Sequence, residues 1–336
     1  MHQNADRLFG ASGISHYKTR IGHTLQGHLR WVFETAQRPQ RFWHRSYVIT
    51  GRPKDGPTFQ LDQQCYPLLE LCDYYEAFPE RQQRHFVAGI VRGAAMREVL
   101  ELLLSKRHEP TGLFPTDETP GDDAVDHPFH FSSHVLLWYT LSRLASLCED
   151  VGASGDDNLS PQKLRLLAEE IRSAALTHFL QIDDADQELK LAYLVDGKGA
   201  RTFYHDANDI PTVFATRWNF LSSGEQLAAW TNTMRFALSE RNRLGYAVGG
   251  EFAGLGSVHS AGAWPLGYFQ EMLYAHMSGD ASLMGEAVRR VRGSMQWDGT
   301  FSEAVDVKTG AVTSKAWFSW PGAMMAAMII EEGIAF

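Results

Sequence analysis

Cysteine is scarce. The 336-residue chain has three, Cys65, Cys72 and Cys148, an odd count with no framework spacing. That excludes a disulfide-built scaffold, and the thiols read as reduced side chains of an intracellular protein. Basic runs are missing too. Lys and Arg total 31 against 40 Asp and Glu, a formal net charge of −9. The electrostatic footprint of a nucleic-acid partner is therefore absent, and an acidic chain gains nothing at an anionic membrane. No apolar run is long enough to span a bilayer; the stretch Gly322 to Ile330 is too short and meets Glu331 and Glu332. The opening MHQNADRLFG lacks the apolar centre of a secretory signal, so the expected location is cytoplasmic.

Absent motifs narrow the chemistry further. There is no H-E-x-x-H, C-x-x-C or EF-hand spacing, so neither a metal nor another cofactor is expected. The glycine-rich GGEFAGLG (Gly249 to Gly256) lacks the Lys-Ser/Thr of a phosphate loop, and no G-x-S-x-G elbow occurs. Cys65 and Cys72 lie on an apolar helical pattern and read as core rather than as nucleophiles.

Helical periodicity and aromatic residues are what the chain has in quantity. Hydrophobic residues make up 44 %, with 9 Trp, 11 Tyr and 19 Phe. That suits a large core, or a pocket whose flat walls stack on sugar faces, and composition leaves both open. The periodicity predicts helices over Thr19 to Thr35, Asp62 to Ala77, His85 to His108, Ser132 to Gly152, Ser160 to Leu180, Ser222 to Glu240, Ala261 to Gly279, Asp280 to Met295 and Trp317 to Glu332. Only Ser46 to Gly51 and Glu188 to Gly197 read as strands. No linker divides the chain, so one domain is expected over residues 1–336. Helical hairpins joined by long decorated loops point to an all-α fold, an α/α toroid with its pocket built from loops at one end. A solenoid is the rival, but no fixed-period repeat supports it.

Polar residues concentrate in five loops. These hold Asp62 in FQLDQQ; Asp122, Asp123, Asp126, His127, His130 and His134 in TPGDDAVDHPFHFSSH; His205, Asp206, Asn208 and Asp209 in FYHDANDIPT; His259 and Trp264 in GSVHSAGAWP; and Glu303, Trp317 and Trp320 in FSEAVDVKTGAVTSKAWFSW. Singly, each has an ordinary reading. Asp62 suits a helix N-cap, the TPGDD run a solvated turn, the histidines packing against phenylalanines, and Asp206 and Asn208 an Asx turn before Pro211. Together, the carboxylates, amides and aromatics form the inventory of glycoside hydrolysis. There one carboxylic acid protonates the leaving oxygen, and a second carboxylate activates water or attacks carbon.

Taken in order, the five clusters resemble glycoside hydrolase family 125, metal-independent exo-α-1,6-mannosidases of α/α-toroid fold. Leu61-Asp62 resembles the family's L-R-D element. Pro120-Gly121-Asp122-Asp123-Ala124, His127-Pro128-Phe129 and Ser132-Ser133 resemble its R-P-S-D-D-A segment, F-P-F element and Ser/Asn pair. His205-Asp206-Ala207-Asn208 resembles D-D-A-N, with an extra residue before Pro211; Ser257-Val258-His259 with Trp264-Pro265 resembles G-P-H and W-P; Ser302-Glu303-Ala304 and Trp317-Phe318-Ser319-Trp320 resemble H-E-S and W-F-x-W. The resemblance implies an inverting exo-glycosidase with Asp206 as general acid and Glu303 as general base. It also implies that Asp62, Asp122, Asp123, His127, Asn208, His259, Trp264, Trp317 and Trp320 bind the sugar. Leu61 and Thr119 stand where the family has arginines, so the implied substrate is an α-mannoside with an α-glucoside close behind. A toroidal sugar epimerase or lyase, and a non-catalytic carbohydrate-binding protein, are the alternatives.

Overall fold

Most of the helical periodicities are realised as helices in the computed structural model, which describes residues 13–78, 80–152 and 160–333. The chain divides into two compact units. One holds the residues before Gly121 together with Ala124–Thr177; the other holds Gly121–Asp123 together with the residues from His178 onward.

In the first unit α1 (Ile14–Arg30) runs on into a π-helical turn, Trp31–Thr35, and is followed by α2 (Leu61–Ala77), α3 (Arg81–Val91) and α4 (Ala94–Ser105). After β1 (Phe129–His130) come α5 (Phe131–Asp150) and α6 (Pro161–Phe179). The single helix expected from His85 to His108 is two helices. Gly93 breaks it: its backbone is extended (φ −72°, ψ 161°), while its N–H still bonds the Ile90 carbonyl in a tight turn. Glycine costs a helix about 1 kcal/mol relative to alanine, so it is where the run yields. The core is centred on α2 against α5. Leu61, Leu68, Leu71, Val135, Leu136, Leu137 and Leu144 are all buried there. Cys65, Cys72 and Cys148 are buried, unbridged core residues, and burial pushes the Cys65, Cys72 and Cys148 thiols upward.

The second unit begins with β2 (Leu180–Ile182) and β3 (Leu189–Leu191), then β4 (Leu194–Val195), β5 (Arg201–Thr202), α7 (Ile210–Phe214) and α8 (Gly224–Ala237). It continues with β6 (Tyr246–Ala247), β7 (Gly254–Ser257), β8 (Ser260–Ala263), α9 (Pro265–Ser278), α10 (Ala281–Ser294), β9 (Ala304–Val305), β10 (Val312–Ser314) and α11 (Ser319–Glu332). The strand expected over Glu188 to Gly197 is split into β3 and β4. The one expected over Ser46 to Gly51 keeps a single bridge, Tyr47 with Pro53, because Gly51 at φ +83° turns the chain back. Helix starts follow the sequence closely. Ser223 caps α8 in a reciprocal capping box with Gln226, and the Asp280 side chain caps α10 by accepting from the Leu283 amide.

A sheet unforeseen in the sequence organises this unit. Strands β6 to β10 pair antiparallel in the order β10-β9-β8-β7-β6. Glycine lets these strands approach closely: a Cβ on Gly256 would lie 2.3 Å from the Gly262 carbonyl oxygen, and one on Gly262 would lie 2.4 Å from that of Val305. Gly262 is also left-handed, at φ +115°. Gly262→Ala is therefore expected to cost about 2–4 kcal/mol, from backbone strain plus overpacking. A denaturation midpoint equal to wild type would show that β8 and β9 do not need this contact.

Candidate active site

The hairpin β7–β8 lies beneath two buried carboxylates. Its turn is Val258-His259, and Ser257 and Ser260 are directly paired across it, which places their side chains on one face. The Ser257 hydroxyl donates to Asp206 Oδ2 (2.7 Å), and the Ser260 hydroxyl donates to Glu303 Oε2 (3.1 Å). Asp206 and Glu303 are each 2 % exposed. One hairpin thus anchors both.

Asp206 sits in a tight turn entering α7. Its Oδ1 accepts from the Asn208 amide N–H (2.9 Å) and side-chain Nδ2 (2.7 Å), an Asx turn; its Oδ2 accepts from the Tyr204 hydroxyl (2.6 Å) as well as Ser257. In return Asp209 Oδ2 accepts the Asp206 backbone N–H (3.0 Å). The turn is clamped from outside. Gln270 of α9 donates to the Asp206 and Ala207 carbonyls (3.0 and 2.9 Å) and meets His205 Nε2 (2.8 Å); Asn242 donates to the His205 carbonyl; and the Ala207 amide donates to Gly256 of β7. Burial and the neighbouring Asp209 carboxylate push Asp206 up to about 6, against the pull of its Tyr204, Asn208 and Ser257 donors. The turn reading and the chemical reading of Asp206 are therefore compatible.

Glu303 precedes β9 and occupies the opposite environment. Its Oε2 accepts from Ser314 (2.6 Å) and Ser260, and its Oε1 accepts from the Lys315 ammonium. Burial alone would raise it. The Lys315 and Ser314 hydrogen bonds, the Lys315 charge and the Ser260 bond outweigh burial and hold the carboxyl below its ordinary range.

The remaining residues named from the sequence fall in several places. Asn208 is part of the Asp206 turn. His259 Nδ1 lies 3.4 Å from Asp123 Oδ1, and its amide donates to the Ser257 hydroxyl. Burial raises Asp123, with His259 opposing. Asp122 is exposed and left-handed, at φ +64°. Trp264 is buried, donates to the Ser260 carbonyl and begins an edge-to-face series through Phe318 to the half-buried Trp320. Trp317 stands apart, 72 % exposed and bonded to Asp298. In the first unit, Asp62 is buried in the first turn of α2 and His127 is half-buried in its loop. His134 ties backbone segments together, since one ring nitrogen meets the His130 carbonyl and the other accepts the Phe114 amide. A cleft of about 720 Å³ in the first unit, along α1, α3 and α4, contains none of these residues. Among the described residues no three His, Cys, Asp or Glu side chains are grouped to hold a metal ion, and no helix is long and apolar enough to cross a membrane.

Sequence reasoning passed over Tyr204, Ser260, Gln270, Ser314 and Lys315. Ser260 had a signal: two short runs separated by two residues are hairpin spacing. Gln270 had none, since its partners are some sixty residues away in sequence.

Comparison with known proteins settles the ancestry. The sequence model of metal-independent alpha-mannosidases (GH125) matches residues 91–330. The chain belongs to this family. The matched span contains every site residue expected from the sequence except Asp62. A curated relative, the meiotically up-regulated gene 157 protein of Schizosaccharomyces pombe (strain 972 / ATCC 24843), is 23 % identical over 215 residues. That alignment covers 63 % of this chain but 40 % of the relative, so the GH125 chain spans about two-fifths of that protein's length. Among solved structures, a metal-independent alpha mannosidase of Streptococcus pneumoniae, in a non-productive complex with alpha-1,6-mannobiose, superposes with a TM-score of 0.74 at 17 % identity. The superposition covers 93 % of this chain and 79 % of that one. A bacterial glucoamylase complexed with acarbose gives 0.65 at 14 % identity, over 98 % and 48 %. The chain shares the fold of these proteins.

Proposed function

We propose that this chain is the catalytic domain of an inverting exo-glycosidase, built as an α/α toroid, that hydrolyses an α-linked sugar, an α-mannoside before an α-glucoside. The observation that carries the reading is the divergence of two buried carboxylates anchored by one hairpin. Burial and Asp209 favour the protonated form of Asp206, and Lys315, Ser314 and Ser260 favour the ionised form of Glu303. Environments that push a carboxyl pair apart assign the acid and the base. Asp206 is the acid and gives its proton to the leaving glycosidic oxygen. Glu303 is the base and takes a proton from water as the water oxygen bonds to the anomeric carbon and the carbon–oxygen bond breaks. Asp123, His259, Trp264 and Trp320 are proposed sugar contacts of this unit, and Asp62, Asp122, His127 and Trp317 further ones. Family membership and the fold shared with a mannobiose-bound mannosidase support the substrate class.

The test is hydrolysis of α-mannosides and α-glucosides, as disaccharides and aryl glycosides, followed by proton NMR at early times. Release of the β-anomer first is the expected result. Early release of the α-anomer rejects inversion. Sugar binding by calorimetry without turnover rejects hydrolysis and favours a binding protein.

A further inference from the structure

Strand β10, which pairs with the strand following the proposed base, is irregular where it meets Glu303. In β10, Val312 pairs with Val305, but Ser314 pairs with Ala304, one residue out of step. The Glu303 amide accordingly lies within hydrogen-bonding distance of two successive carbonyls, those of Ser314 (3.2 Å) and Lys315 (3.1 Å). Lys315 itself is left-handed, at φ +36°, a strained conformation for a side chain that large. The consequence is directional. Successive residues of a regular strand point to opposite faces, yet here the Ser314 hydroxyl and the Lys315 ammonium both reach the Glu303 carboxylate. A bulge re-aims side chains in this way.

We infer that Lys315 is a positioning residue of the hydrolytic site: with Ser260 and Ser314 it fills three of the four acceptor positions of Glu303, leaving one, on Oε1, to hold the attacking water. Each carboxylate oxygen accepts about two hydrogen bonds. Among the described residues, Oε2 has two hydroxyl donors and Oε1 has the ammonium alone. Lys315 is more than half exposed while Glu303 is buried, so the ammonium stands on the solvent side, where water and sugar arrive. The other groups facing the carboxylate are the Ser260 hydroxyl from β8 and the Ser314 hydroxyl from β10. The inference rests on Glu303 being the base.

Lys315→Met, with Lys315→Arg as the charge-preserving rescue, separates positioning from mere folding. Two readouts are needed: the pH profile of kcat/KM, and the titration of the Glu303 carboxyl by ¹³C NMR, assigned against Glu303→Gln. Removing the ammonium leaves burial to act on Glu303, so the acid-side limb moves to higher pH. On that limb Lys315→Met should lose at least about tenfold more kcat/KM than at the optimum, one pH unit of limb movement being a factor of ten. The falling limb, set by Asp206, should stay in place, and Lys315→Arg should restore most of the lost width. A Lys315→Met profile lowered evenly at every pH, with the NMR titration unmoved, overturns the inference. Because the titration needs no turnover, a wild type that hydrolyses nothing counts against the glycosidase reading, while an unmoved titration counts against Lys315.

Discussion

Asp206→Asn and Glu303→Gln should each lower kcat/KM on the best α-glycoside by about 10²–10⁴-fold, the range carried by a positioned general acid or base. Both changes keep size and shape. In Asp206→Asn the retained oxygen still accepts both Asn208 donors, and the new amide faces the Tyr204 and Ser257 hydroxyls, which are able to accept. Loss of activity would then reflect the lost proton rather than a lost turn. The sign of the pH dependence comes from the same site. On the proposed roles, turnover needs Glu303 ionised and Asp206 protonated. Activity should then rise through a limb below the ordinary carboxylate range and fall through about pH 6, giving an acidic optimum. Asp209→Asn removes the anion that helps to raise Asp206, so its falling limb should shift to lower pH. Stability carries the same sign. A group whose folded value is raised contributes stability that is fully present below its unfolded value, about 3.9 for Asp, and lost as pH rises through about 6. Asp206→Asn should accordingly melt no lower than wild type at pH 7. Retention of activity within about threefold in either variant would remove that carboxylate from the mechanism, since general acid–base catalysis is worth far more than that.

The helices were legible because each buries a stripe at a spacing the sequence displays directly. In α6, Leu164, Ala168, Ile171 and Ala175 are buried three and four residues apart, and Ser223 with Gln226 announces the start of α8. The five-stranded sheet was not legible. Its strands are two to four residues long, and β7 and β8 read Gly-Leu-Gly-Ser and Ser-Ala-Gly-Ala, sequences with little β-propensity. Those strands form because glycine permits the close approach at Gly256 and Gly262, a tertiary cause with no local signature. The site divides the same way. Asp206 and Glu303 stood out as carboxylates in clusters resembling a family's motifs. Lys315 did not, because only a bulge and a left-handed backbone aim it at Glu303. The arginines absent at Leu61 and Thr119 have a plain local outcome: both positions are buried, in the first unit.

The second large effect is expected on stability, at a buried ion pair that includes none of the proposed sugar contacts. Glu271 of α9 accepts from Arg290 Nη1 with both carboxylate oxygens, at 2.6 Å each, and the two side chains are 5 % and 10 % exposed. Burial raises Glu271, and the Arg290 hydrogen bonds oppose it. Glu271→Ala leaves the guanidinium buried, with Glu286 at the rim as its remaining anion. Breaking a buried pair from one side costs about 3–5 kcal/mol, whereas replacing both partners with apolar side chains is often close to neutral. Glu271→Ala is thus expected to lose about 3–5 kcal/mol in urea unfolding, and Glu271→Met with Arg290→Met to regain most of it. The pair also bears on the site. Its neighbour on α9, Gln270, holds the Asp206 and Ala207 carbonyls and His205 in place. If the pair serves only to join α9 to α10, the double variant should recover both stability and kcat. If α9 needs the ion pair to set its register, stability should return while kcat stays low, because Gln270 would no longer align the turn that carries Asp206. A single variant within about 1 kcal/mol of wild type would mean that water reaches the guanidinium and the pair is not buried in solution.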